Sequence, residues 1–353
     1  MRIAIKYDDV LIDQDGKIAG HEAADTLVRR LLRIFPGSIV IAAAARRADG
    51  FDVMPLEMLD PSDVVVINMD IADSPRVWRI LRAGNRVQTP PTVRIMNFLW
   101  RALPDTASEI EMAATALSCA LFPTFAGSQL SANEITDLVR RWTVQPLYQK
   151  MRVKWVNLGF RLDHIQPHRD ADTPIVLYPS IYLSRHKHPD RFLAIVDKAR
   201  RIVPAQVEMR LHENHLVSER AMDISSRDWV WMGPVTATRQ SYWQALARTT
   251  AFVATADNVS YALAYIEALG AGVIGILPDN ASSRLVVPPG YPFLYRDDNE
   301  ATTMLIRALR EPERCRKDID QCAGGSFAMW IAQHHSDDAF DKAVVACVDE
   351  WFG

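Results

Sequence analysis

The strongest constraint on what this chain can fold into is an alternation that runs through it twice: short apolar, β-branched runs separated by segments of helical periodicity. Residues 2–7, 38–45 and 63–68 (Asp-Val-Val-Val-Ile-Asn) have the composition of strands buried on both faces. Between the first two, Ala24, Leu27, Val28, Leu31 and Phe35 recur at three- and four-residue steps. Arg29, Arg30 and Arg33 fall mostly on the other face, and Pro36-Gly37 closes the helix. Val93–Leu99 follows a Pro90-Pro91 turn, and Ala113–Phe122 leads to a helix start in which Ser131 is the cap and Glu134 follows three residues on. The second half predicts strands over Ile175–Tyr178, Val207–Leu211, Trp229–Met232, Ala251–Ala254 and Val273–Leu277, with helices over 190–202, 239–248, 260–270 and 300–310. Strands that alternate with helices pair in parallel through right-handed crossovers, so each half reads as a doubly wound, Rossmann-like α/β domain.

With 353 residues, the chain exceeds what one hydrophobic core organises. The periodic pattern breaks near Gln166–Pro174, which predicts domains over 1–166 and 167–327, facing a common cleft. The amphipathic stretch Ala328–Trp351 makes 328–353 a terminal helix packed back across the hinge. A hydrophobic content of 49% and a charged content of 24% exclude disordered and collagen-like chains. The longest apolar candidate for a membrane span, Ile39–Ala45, runs directly into Arg46 and Arg47, far short of the roughly 20 residues required. No signal-peptide hydrophobic region opens the sequence, and Cys119, Cys315, Cys322 and Cys347 form no C-x-x-C pair, so a cytoplasmic setting with reduced thiols is expected. Net charge is −3, but residues 140–201 carry 13 basic and 5 acidic side chains, which favours an anionic ligand or partner there.

Ligands of doubly wound sheets bind at the carboxyl ends of the strands, so each loop after a strand is a candidate. The first, Tyr7–Glu22, offers Gly16 and Gly20 before a helix. The loop after Ile175–Tyr178 places Arg185 and Lys187 just ahead of a helix, a planar fork and a point charge suited to phosphate oxygens. In Asp257-Asn258-Val259-Ser260-Tyr261-Ala262-Leu263-Ala264-Tyr265-Ile266-Glu267, a strand ends in a polar loop and a helix follows. There N–H groups near Ser260 and Tyr261 can hold a diphosphate while Glu267 accepts both hydroxyls of a ribose. For acid–base work the first half offers Asp8, Asp9, His21, Asp70 and Asp73 at or beyond strand ends. No metal site is expected. His212 and His215 are too closely spaced for a zinc helix motif, Asp170-Ala171-Asp172 reads as a solvated linker, and His334, His335, Asp337 and Asp338 read as exposed helix charge.

The segment through Glu267-Ala268-Leu269-Gly270-Ala271-Gly272 resembles the donor-binding motif of family 4 glycosyltransferases of the GT-B fold. Val156-Asn157-Leu158-Gly159-Phe160-Arg161-Leu162-Asp163 through Pro167 is similar to that family's interdomain signature, with Leu158 inserted and Arg161 at the usual Asp. Phe125–Glu134 resembles its helix start, and Arg185 and Lys187 stand near its phosphate-binding pair. The resemblance implies transfer of a sugar from a nucleotide-diphosphate sugar (UDP- or GDP-linked) to an acceptor hydroxyl, with retention and no further cofactor. It implies that Glu267 holds the ribose, Arg185 and Lys187 the diphosphate, Ser260 and Tyr261 its oxygens through N–H groups, and Met232–Val235 the base. Val259 occupies the place of the family's first Glu, leaving Asp257 or Asn258 to contact the sugar; Asn97 stands near the place of its acceptor-side His. A looser resemblance is to phage DNA glucosyltransferases, whose acceptor is a hydroxymethylated base, so the acceptor is a carbohydrate, a small molecule or modified DNA. A noncatalytic nucleotide-sugar-binding protein of the same fold is the remaining reading.

Overall fold

A computed structural model describes residues 2–20, 23–83, 92–100, 107–235, 238–257 and 263–353, the side chains of Ala23 and Arg239 excepted. The chain forms two compact units, Met1–Asn157 with Phe340–Gly353, and Leu158–Ala339.

In the first unit, eight strands run in chain order β1 (Arg2–Lys6), β2 (Ile39–Ile41), β3 (Arg46–Arg47), β4 (Asp52–Met54), β5 (Val64–Asn68), β6 (Arg94–Leu99), β7 (Thr124–Ala126) and β8 (Val153–Trp155). They line up as β3-β4-β2-β1-β5-β6-β7-β8, parallel except for the β3–β4 pair. The predicted run 38–45 therefore ends early, and its arginines, Arg46 and Arg47, turn back as an exposed antiparallel edge. Every residue of β5 is buried, as a two-sided apolar strand must be. The chain winds outward from β1 in both directions, and the crevice between the carboxyl ends of β1 and β5 is the topological switch point.

The second unit contains β9 (Ile175–Tyr178), β10 (Gln206–Leu211), β11 (Val230–Pro234), β12 (Ala251–Val253), β13 (Ile274–Pro278) and β14 (Leu294–Tyr295), ordered β11-β10-β9-β12-β13-β14 and wholly parallel. Its switch point lies between β9 and β12. The segment after the unit boundary is welded to this unit. Phe160 stacks on Trp243 at 5.4 Å between ring centroids, and its N–H donates to His335 O. A Cβ on Gly159 would lie 2.2 Å from the Ser336 backbone, so only glycine fits there.

The terminal stretch is two helices, Phe327–His334 and Asp337–Phe352, rather than one. The second belongs mainly to the first unit, where Phe340 packs on Phe98 and Phe125 beneath the Arg30 guanidinium, and Asp341 pairs with Arg30 and Arg33. His335, expected on an exposed face, is fully buried at the break, where its carbonyl accepts from Phe160 N and its ring lies against Trp330. Burial, together with His334, pushes its pKa down to about 3, so the ring stays neutral.

The unfolded chain binds a proton on this histidine below its ordinary value while the native state does not, so stability falls as pH drops through about 6.5. Near pH 5 this histidine alone should cost about 2 kcal/mol. Urea unfolding of His335→Leu between pH 7 and 5 should therefore show a shallower loss of stability than the wild type.

Candidate functional site

Two crossovers leave the switch point of the second unit in opposite directions, and their loops meet. The loop after β9 reaches a single 3-10 turn, Arg185–Lys187, then His188, the one non-glycine residue of positive φ (48°) among those described, which opens the helix Pro189–Arg200. A strained backbone of this kind persists only where its surroundings fix it. Here they do: Thr255 Oγ1 donates to Lys187 O at 2.9 Å, Asp257 N donates to His186 O at 3.0 Å, and the His188 ring pairs with the Asp257 carboxylate. The loop after β12 is itself fixed by Tyr295, whose hydroxyl donates to Ala254 O at 2.7 Å.

The two segments singled out in the sequence, around Arg185 and around Asp257, are thus cross-linked. Neither Arg185 nor Lys187 has a carboxylate partner among the described residues. Arg185 is exposed, whereas Lys187 is half-buried, and burial alone lowers its pKa. A partly desolvated ammonium without a counter-charge is an anion site by composition.

Glu267 lies on the helix Leu263–Gly270, which follows β12 in the chain, packs on β13 and on the helix Phe327–His334, and otherwise carries no charged side chain. It is 5% exposed, and its Oε2 accepts from the Tyr242 hydroxyl at 2.9 Å. Met232 sits half-buried on the edge strand β11. Asn258, Ser260 and Tyr261 lie outside the described residues, as does His21. Tyr242, Thr255 and His188 were not apparent from sequence, since nothing local marks them; only the crossing of two distant loops does.

In the first unit, Asp8 and Asp70 do meet at the switch point, but around Lys6. The lysine is 6% exposed, and its Nζ lies 2.9 Å from Asp8, 3.0 Å from Asp70 and 3.1 Å from Asp73. Burial raises the Asp70 pKa against the pull of Lys6, and Asp8 N donates to its Oδ2 at 2.8 Å. Asn97 is corrected. It is fully buried, accepts from Ser74 Oγ at 2.6 Å and donates towards Thr124 and Ser118, so it knits the core and reaches no substrate.

Gly16 is corrected too. Its N–H is spent on Asp13 O inside a small hairpin closed by the Ile12–Ile18 bridge, and its positive φ serves that turn. Beside Gly20 the Asp25 carboxylate fills the space an incoming anion would need; a Cβ there would lie 2.4 Å from it. The basic stretch 140–201 divides between the two units, and Arg140, Lys154, Arg161, Arg191, Arg200 and Arg201 are all paired with acids.

Asp170 is half-buried against Arg316, not solvated in a linker. No group of three His, Cys, Asp or Glu side chains among the described residues is arranged to hold a metal ion. Among the described residues no helix is long and apolar enough to cross a membrane.

Two outcomes follow. Lys187→Met should melt no lower than the wild type, because it removes an uncompensated charge, yet bind inorganic pyrophosphate about tenfold or more weakly in calorimetry. Lys6→Met leaves three carboxylates facing one another; urea unfolding at pH 7 should show a loss of about 3–5 kcal/mol. That loss should shrink below about pH 4 as the acids protonate.

No protein-family model matches the sequence, and no curated protein matches it. Solved structures do. HepE of Anabaena in complex with UDP aligns with a TM-score of 0.70 at 13% identity, covering 99% of this chain and 100% of that one. Sucrose-phosphate synthase of Thermosynechococcus elongatus gives 0.67 at 13% identity, and the trehalose-6-phosphate synthase OtsA 0.68 at 9%, each covering 99% of both chains. Two parallel-rich sheets, each wound in both directions from a central switch point and matched over nearly the whole length by these glycosyltransferases, give the chain the GT-B fold.

Proposed function

We propose that the protein is a glycosyltransferase that moves a sugar from a nucleotide-diphosphate sugar to an acceptor hydroxyl. One observation carries this reading: at the switch point between β9 and β12, two hydrogen-bonded loops bring together unpaired cations, Arg185 and Lys187, in the same unit as a buried carboxylate, Glu267. The cations match a diphosphate, and the carboxylate can accept from both hydroxyls of a ribose. The structures of HepE in complex with UDP and with UDP-glucose favour UDP as the nucleotide to be tried first, ahead of GDP.

As the bond from the anomeric carbon to the diphosphate lengthens, negative charge grows on the leaving oxygens, and Arg185 and Lys187 stabilise it. Such a transfer can proceed with retention without a protein base, because a leaving-group oxygen takes the acceptor proton; the resemblance to family 4 motifs favours this course. Asp257, fixed by His188, is the carboxylate nearest in sequence to the position where the family's first Glu is replaced by Val259. The remaining assignments keep their roles: Ser260 and Tyr261 donate backbone N–H groups, Met232 borders the base and Asn258 the sugar. The first unit receives the acceptor, with Asp70, Asp8 and His21 as its polar groups. A duplex DNA acceptor loses support, since the basic stretch divides between the two units and six of its thirteen cations are paired with acids. We place the protein in the cytoplasm, the setting that suits its four cysteines, which form no C-x-x-C pair.

Glu267→Ala should weaken binding of the nucleotide diphosphate by about 1.5–3 kcal/mol in calorimetry. An unchanged dissociation constant removes the ribose assignment. Slow release of nucleotide diphosphate from one member of a nucleotide-sugar panel identifies an enzyme; binding without release identifies a noncatalytic protein of this fold.

A further inference from the structure

The helix Leu263–Gly270 is almost entirely apolar on every side, and apolar packing is non-directional, so it does not fix a helix along its own axis. Directional bonds do, and they lie at its C-terminal end, where helix carbonyls lack intrahelical partners. His168 Nδ1 lies 2.8 Å from Ala271 O, and Arg316 Nε donates to Gly272 O at 2.9 Å. Arg316 also grips Asp170 through two nitrogens, at 2.7 and 2.9 Å, and its Nη2 lies 2.7 Å from His168 Nε2. A guanidinium only donates, so His168 Nε2 accepts and Nδ1 carries the ring proton to Ala271 O. Asp170 lies in a segment itself anchored by Arg169 N to Ala247 O and Ala171 N to Arg248 O. Ala271 N donates in turn to Glu267 O at 3.0 Å, so the gripped residue is bonded directly to the one that carries the carboxylate. A cation at this helix end also suits the helix dipole.

We infer that His168, Asp170 and Arg316 are positioning residues: a clamp on the end of the Glu267 helix that sets the carboxylate where it meets the ribose. The clamp rests on the reading of Glu267 given above. Its effect is specific to the ribose hydroxyls and distinct from general stability.

The test measures dissociation constants of UDP and of 2′-deoxy-UDP by calorimetry on the intact protein, with GDP and its 2′-deoxy form if guanosine is the base that binds. The wild type should prefer the ribose form, and Glu267→Gln should reduce that preference. Arg316→Ala and His168→Phe should reduce it towards the Glu267→Gln value, by about tenfold where the hydroxyl contact is lost entirely. His168→Asn, whose amide still donates to Ala271 O, should keep it. Arg307→Ala, which breaks the Arg307–Asp318 pair on neighbouring helices, should lower the melting temperature without changing the ratio. If Arg316→Ala and His168→Phe weaken both nucleotides equally, the clamp is structural only and the inference is overturned. A wild type without ribose preference, or a preference that Glu267→Gln leaves intact, overturns the ribose assignment and the clamp's role with it.

Discussion

The second unit depends on the cross-link between the loops that leave β9 and β12. Because the crossovers diverge there, neither loop has a neighbouring strand to satisfy its backbone, and each supplies what the other lacks: Asp257 N for His186 O, and the Thr255 hydroxyl for Lys187 O. That exchange forces His188 into the left-handed region, which an L-residue adopts at a cost of about 1 kcal/mol or more. It also holds Lys187 part-way into the protein. The anion site is thus a by-product of satisfying main-chain groups at a switch point, which is why it sits on loops carried by a rigid sheet.

The lysines at the two switch points show how the same sheet architecture leads to different chemistry. Lys6 is surrounded by Asp8, Asp70 and Asp73, so its charge is more than neutralised, and the switch point of the first unit is acidic. Half-buried Lys187 has no such company among the described residues, where Arg185 stands beside it. An uncompensated, partly desolvated ammonium destabilises the free protein; its retention makes sense if a ligand supplies the missing charge. On the proposed function, a diphosphate is assigned to the second unit and a neutral hydroxyl compound to the first.

Much of this was legible before the structure. The apolar runs at 175–178, 207–211 and 251–254 lie almost residue for residue on β9, β10 and β12, because parallel strands buried on both faces leave a continuous signal. Arg185 and Lys187 could be proposed as ligand contacts from sequence because loop chemistry after a strand is local, and Glu267 because it is the lone charge on an apolar helix. What escaped was non-local. Asp170 looked like a solvated linker residue, since its partner Arg316 stands 146 positions away. His335 looked exposed, since helical periodicity does not reveal where a helix breaks. Asn97 looked functional from its place in the chain order, yet it points inward from a strand buried on both faces. The charge run at 140–201 pointed to one surface, but charge along a sequence becomes a patch only if the fold keeps it on one face.

Glu267 joins these strands of argument. A carboxylate 5% exposed on an apolar helix is a costly choice for a scaffold, because leucine there would pack at no electrostatic penalty. The Tyr242 hydroxyl offsets part of that penalty, and the clamp at Ala271 and Gly272 keeps the helix from relaxing away from it. Directional bonds from Tyr242 to the acid, and from His168 and Arg316 to the two residues that follow its helix, therefore converge on one short helix with no other charged side chain. Such investment is out of proportion to fold stability, and it fits a carboxylate that must meet a ligand at a fixed place.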